Sequence, residues 1–275
     1  MTPRLAWNVN LALGGGLVGA LICAALLSLV WTPYAPDAID VANKLLLPSP
    51  SHWLGTDAFG RDIVSELLAG ARVSLLVGVV AVGLGLSGGL ALGLTAAFAG
   101  GAIEDGLMKL ADMAFAFPVL LIAIMLTSTY GPGIGNAILA VAALNVAVFA
   151  KLTRATSRGV LAREFALAAR SAGLTKLATA IEHVLPNIAA PLIVQATIQF
   201  AVAILAEAAL SYLGLGAQAP QSSWGRMLNE AQLWLYAAPR LAIFPGLAVA
   251  LSVLGLNLLG DGLRDALDPR LAARG

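Results

Sequence analysis

The chain has little charge, little histidine and almost no cysteine, and each shortage removes a class of function. Charged residues are 11% of its 275 positions and hydrophobic residues 59%, against about 25% and 45–50% in soluble domains. A water-soluble domain has nowhere to hide that much apolar surface, so the composition is that of a membrane protein. The single cysteine, Cys23, excludes a disulfide within the chain. With only His52 and His183 beside it, no metal-ligand spacing exists and no metal site is expected. No serine–histidine or two-aspartate arrangement falls at membrane depth, so no catalytic residues are assigned. A formal net charge of +1 gives no argument for nucleic acid. A phosphate-loop motif is also missing. Two stretches do satisfy the dinucleotide-binding glycine pattern, Gly14 to Gly19 and Gly83 to Gly88, but each lies inside an apolar run rather than after a strand.

What the chain has instead is six apolar stretches, at 11–31, 73–98, 107–127, 137–150, 188–212 and 241–259. Most reach the roughly 20 residues that a membrane helix needs. The first is too long for the apolar core of a signal peptide, which runs to about 7–15 residues. In the second, Gly85, Gly89 and Gly93 recur every four residues, which lets membrane helices approach closely. Pro118 predicts a kink in the third. Asn145, Gln195, Gln199 and Glu207 are the polar residues inside later spans. The first three can line a solvated route or tie helices together, and the residues alone admit both. Glu207, near the end of its span, suits helix packing better than substrate contact, although an ionisable residue in a span is always a functional candidate.

Two long polar regions, 32–70 and 214–240, separate the spans. Residues 52–62 read as a loop feeding a short interfacial helix, in which Asp57 and Arg61 form an exposed pair of little energetic weight. His52 beside Trp53 suggests interfacial packing, as do Trp224 and Trp234.

Residues 161–187, LAREFALAARSAGLTKLATAIEHVLPN, form the one polar interruption with several positive charges. The pattern predicts a helix–turn–helix. Phe165, Ala168, Ala169 and Ala172 share one face, with Arg163 and Arg170 off it. Gly173 makes the turn, residues 176–184 the second helix, and Pro186 a break before the fifth span. A small-residue helix held between two spans suits insertion into a cleft on another protein, although an ordinary loop satisfies the same pattern. With the N-terminus inside, Arg4, Lys109, Lys151, Arg154, Arg158, Arg163, Arg170, Lys176, Arg264, Arg270 and Arg274 face the cytoplasm. Only Lys44, Arg61, Arg72, Arg226 and Arg240 face out. The positive-inside rule selects this orientation, with both termini and the loop cytoplasmic.

The loop resembles the coupling loop of binding-protein-dependent ABC importer permeases, with Glu164, the Ala168-Ala169 pair and Gly173 in order. Three further stretches resemble the dipeptide/oligopeptide/nickel branch. They are His52-Trp53-Leu54-Gly55-Thr56-Asp57 with Gly60-Arg61-Asp62, residues 205–216 with Ser223-Trp224-Gly225, and residues 257–270. The resemblance covers nearly the whole chain and identifies it with the second, C-type, permease of such systems. It implies an all-α membrane fold of six transmembrane helices of the type I (MetI-like) kind, in a bacterial inner membrane. It assigns the ATPase contact to Glu164, Phe165, Ala168, Ala169, Arg170 and Gly173, and an external motif to Asp57, Gly60, Arg61 and Asp62. It implies as partners a second, homologous permease chain, two cytoplasmic ATPase subunits that bind the ATP and magnesium, and an extracytoplasmic binding protein. This chain itself takes no cofactor on that reading, and the cargo is peptide, nickel, a metal chelate or glutathione. Two positions depart from the pattern. Phe165 stands where relatives commonly carry tyrosine, and Arg240 puts a charge at the outer mouth of the sixth span where they often have an aromatic.

The expected division is 1–70 for the first span, external loop and interfacial helix, 71–264 for the permease core with its loop at 161–187, and 265–275 for a cytoplasmic tail. A stand-alone secondary transporter would need internal repeats, and the two halves show none. A chain of carboxylates for proton coupling is missing as well.

Overall fold

Residues 9–267 are described in a computed structural model, and among them the regular structure is helical, with one isolated β-bridge between Thr56 and Asp62. The first apolar run forms α1 (Val9–Val30). After an irregular loop, Asp62 caps the 37-residue α2 (Ile63–Ala99) by accepting the Ser65 N–H. No separate interfacial helix precedes α2. The segment expected to form one runs straight into the span, through the boundary drawn at residue 70. At 1.5 Å per residue α2 is about 55 Å long, well beyond the ~30 Å hydrocarbon core.

Gly100 and Gly101, at φ of 68° and 53°, turn the chain into α3 (Gly101–Ala116). The kink expected at Pro118 is larger than a kink. α3 stops, and α4 (Val119–Tyr130) leaves at 83° to it, so the third span is two helices. Proline supplies no N–H to continue the ladder and disfavours a helical residue before it; Phe117 is extended. α5 (Ile134–Leu161) carries Lys151, Arg154 and Arg158 within the helix itself. The loop expected at 161–187 follows as α6 (Glu164–Ser171) and α7 (Lys176–Thr179).

Pro186 does not break the chain as expected. A π turn over Ala180–Val184 joins α7 to α8 (Leu185–Tyr212), and Lys176–Tyr212 forms one continuous helical rod. The Leu185 N–H reaches back five residues to Ala180. The bonding register therefore switches just where Pro186, in the first turn of α8, has no N–H to offer. α9 (Trp224–Ala231) lies in the second long loop, and α10 (Arg240–Leu267) continues past the expected tail boundary. Arg4, Arg270, Arg274 and the rest of the tail lie outside the described residues. Among the described residues five helices are long and apolar enough to cross a membrane, six if the bent α3–α4 pair is counted as one crossing.

α2 is the central strut. Its glycine stripe meets α5 as the spacing predicts: a Cβ on Gly85, Gly89 or Gly93 would collide with Asn145, Phe149 or Thr153 in turn. α1 lies on α10, where Gly14, Gly255 and Gly262 permit the same close approach.

The ends of the helices sort into two groups. At one end Lys176 Nζ reaches the Phe98 carbonyl, and Arg154 and Arg158 hold Glu104. At the other end Trp224 Nε1 donates to the Leu67 carbonyl and Arg240 to those of Leu45 and Leu46. Both long loops thus lie opposite α6 and α7. Trp224, expected at the interface, is buried.

Candidate functional site

Ala166, fully buried, anchors α6 to the body, although the spacing argument passed it over. Around it Glu164, Phe165 and Ala168 face outward and Ala169 is half-buried; Arg170 lies on the same helix. Gly173 makes the turn at φ +87°, a conformation that side chains resist. Thr175 then caps α7 by accepting the Ala178 N–H. The Phe165 ring lies 6.1 Å from that of His183, which ties α6 to the π turn. The open side of this unit also carries Leu167, Leu177 at 70% exposure and Ile181 at 55%. Sequence reasoning missed Leu177 and Ile181, although both lie on the predicted second helix. Phe165, Leu167, Leu177 and Ile181 thus leave apolar surface open on this unit, the kind of feature that marks interaction sites.

The four polar residues of the spans do not form one site. Gln199 Nε2 donates to Asn145 Oδ1 at 2.9 Å, and Asn145 Nδ2 to the Ala81 carbonyl at 3.3 Å, so α2, α5 and α8 are tied at one depth. Gln195, one turn away, is half-buried and takes no part. Glu207 is fully buried, accepting from Ser211 at 2.7 Å and Ser74 at 3.4 Å.

The external motif is a buried knot rather than an exposed pair. Asp57 Oδ1 accepts the backbone N–H groups of Phe59 and Arg61, and its other oxygen accepts Arg61 Nε at 2.7 Å. Arg61, only 5% exposed, also meets Glu66 at 3.1 Å and Glu230, which Arg226 holds from its far side. Burial by itself lowers the Arg61 pKa. The carboxylates of Glu66, Asp57 and Glu230 outweigh it and the net shift is upward. Oxygens of Asp57, Glu66 and Glu230 lie within 4.8 Å of one another, the spacing of a cation site, but the Arg61 guanidinium bonds to all three. Asp62, besides capping α2, bonds His52 Nδ1 at 3.0 Å, and the His52 ring stacks on Tyr34. Gly60 sits with φ +80° against the Asp40 carbonyl, where no Cβ fits.

A second ionic group was not anticipated. Glu104 of α3 is bracketed by Arg154 and Arg158, one turn apart on α5. The i, i+4 arginines were visible in the sequence, but nothing there marked Glu104 as their partner.

The described residues form a multi-helix membrane fold with an exposed helix pair at one end and a pinned pair of long loops at the other. The family profile described as binding-protein-dependent transport system inner membrane component matches residues 89–273, and the chain belongs to that family, as a permease of ABC importers. It is 42% identical to a dipeptide transport system permease protein of Alkalihalophilus pseudofirmus, over 93% of this chain and 84% of the relative. It is 39% identical to a nickel transport system permease protein of Escherichia coli, over 96% and 95%. A glutathione transport system permease protein of Pectobacterium atrosepticum is 40% identical over 95% and 88%. Among solved structures, a chain of the MetNI methionine ABC transporter in an inward-facing form matches with a TM-score of 0.58 at 15% identity. That match covers 75% of this chain and 96% of the other, and it supports the MetI-like fold.

Proposed function

We propose that this chain is one of two different permease chains in an ATP-driven importer of di- and oligopeptides in a bacterial inner membrane. The observation that carries the reading is the rod Lys176–Tyr212, which runs without interruption from the exposed coupling surface to the core. Two cytoplasmic ATPase subunits, which bind ATP and magnesium, grip Glu164, Phe165, Ala168, Ala169, Arg170 and the turn at Gly173. Dimerising on ATP, they move α6 and α7, and the rod carries that motion into the bundle. A ligand shifts such an equilibrium only through different affinity for the two states, and ATP supplies that difference through the subunits. An extracytoplasmic binding protein delivers cargo to the end where the Arg61 knot pins both long loops. Among the described residues, eight of the thirteen basic residues stand at the coupling-loop end, which supports cytoplasmic termini. This chain needs no cofactor of its own.

Nickel, a metal chelate or glutathione is the alternative cargo, favoured by the nickel and glutathione permeases at 39–40% identity. The test is ATPase activity of the assembled complex in lipid, with the cognate binding protein and either a dipeptide mixture, nickel or glutathione. Stimulation by peptides is expected. Stimulation by nickel or glutathione alone keeps the mechanism and replaces the cargo.

A further inference from the structure

Read as one crossing, the α3–α4 pair is broken in its middle by a bend of 83°. α3 starts at the coupling-loop end, where Glu104 is held, and packs Ala111 against Ala147 and Ala150 of α5. α4 packs Ala123 against Ala137 and Ala140 of the same helix. The elbow at Phe117 and Pro118 therefore lies level with the stretch of α5 between Ala140 and Ala147. Asn145 sits there, tied to Gln199 in the middle of the bundle.

At this elbow the backbone ladder stops. The last turn of α3 leaves carbonyls with no following N–H, and Pro118 has none to give. The Pro118 carbonyl accepts the Leu121 and Ile122 N–H groups at 3.0 and 3.3 Å, which leaves those of Val119 and Leu120 open. No side chain caps the start of α4. The turn is also open: Phe115 is 56% and Phe117 49% exposed, and Ala116 and Pro118 are exposed. Unpaired backbone at membrane depth is tolerated only where protein buries it or where it lines water. This chain does not bury it.

Resting on the permease reading, we propose that residues 115–119 line the water-filled route along which cargo crosses, on the face turned to the second permease chain. The lining has a chemistry. From Met113 to Tyr130 there is no charged side chain, histidine or cysteine. The exposed side chains include Met113, Phe115, Phe117 and Met125 beside the aliphatic Leu120, Leu121 and Ile124, with Ser128, Thr129 and Tyr130 toward the outer end. Open C=O and N–H groups bond to any peptide linkage, and flexible methionines adapt to varied side chains. A bare nickel ion finds none of the imidazole or thiolate donors it prefers. The route is therefore built for peptides of varied sequence.

The test is thiol accessibility in the assembled complex in lipid. The native Cys23, exposed midway along the apolar α1, serves as the reference thiol. Phe117→Cys and Ala116→Cys are each made in chains with Cys23 retained and with Cys23→Ala, and treated with a charged, membrane-impermeant thiol reagent. A thiol in hydrocarbon stays protonated and inert, so a water-lined one reacts on the order of ten-fold faster or more. The account expects at least one elbow thiol to outpace Cys23 by that margin. Elbow thiols as slow as Cys23, in a complex whose ATPase still answers to peptide, overturn the inference alone. Failure of the native chain to bind any ATPase subunit defeats the permease reading instead.

Discussion

Arg61 is held by carboxylates from three stretches of chain, and removing it leaves Asp57, Glu66 and Glu230 facing one another in a confined space. Breaking a buried ionic group by deleting one member costs about 3–5 kcal/mol. Arg61→Ala is therefore expected to lower the melting temperature of the purified protein sharply, and Arg61→Lys to recover only part, because an ammonium cannot bridge in the same fork geometry. An unchanged melting temperature for Arg61→Ala contradicts the knot. Asn145 and Gln199 invite a different measurement. As an interhelical tie, their double-mutant cycle to alanine should show a coupling of about 0.6–2 kcal/mol in stability. Stability losses that simply add, with transport lost in each single variant, would make them contacts for cargo instead.

The α2–α5 seam is the contact on which the bundle depends, because the backbones meet at the glycine stripe. Gly89→Leu places a branched side chain against Phe149 and should separate the helices, and the expected readout is loss of the monodisperse peak in gel filtration. A well-folded Gly89→Leu protein would mean that the seam is looser than described. This element was legible in the sequence, since glycine at four-residue spacing has few other uses inside an apolar run. The helix–turn–helix of α6 and α7 was legible for a similar local reason: Gly173 and the residues around it encode their own turn. The burial of Arg61 was not, because Glu230 lies 169 residues away and nothing local distinguishes a buried ion pair from a solvated one. Pro118 announced a bend but not its angle, which is set by how α3 and α4 each pack on α5. Pro186 misled because a π turn shifts the hydrogen-bond register and absorbs the missing donor.

On the proposed reading, force enters the molecule at one end and cargo at the other. α6 and α7 stand at the coupling end, joined through the π turn to the helix that carries Gln199 and Glu207. At the opposite end α9, the first long loop and the start of α2 are fastened by Arg61 and Trp224. A rod fixed by buried polar ties to α2 and α5 cannot shift at its base without moving the bundle. The turn at Gly173 is the point where this linkage is open to attack, since a bulky side chain there is strained at positive φ yet touches none of the core. The most direct measurement is peptide-stimulated ATPase activity of the assembled complex carrying Gly173→Trp. The account predicts that the complex still forms and hydrolyses ATP at its basal rate while stimulation by the peptide-loaded binding protein is lost. Full stimulation in that variant would contradict it, because the coupling surface would then not depend on the turn that shapes it.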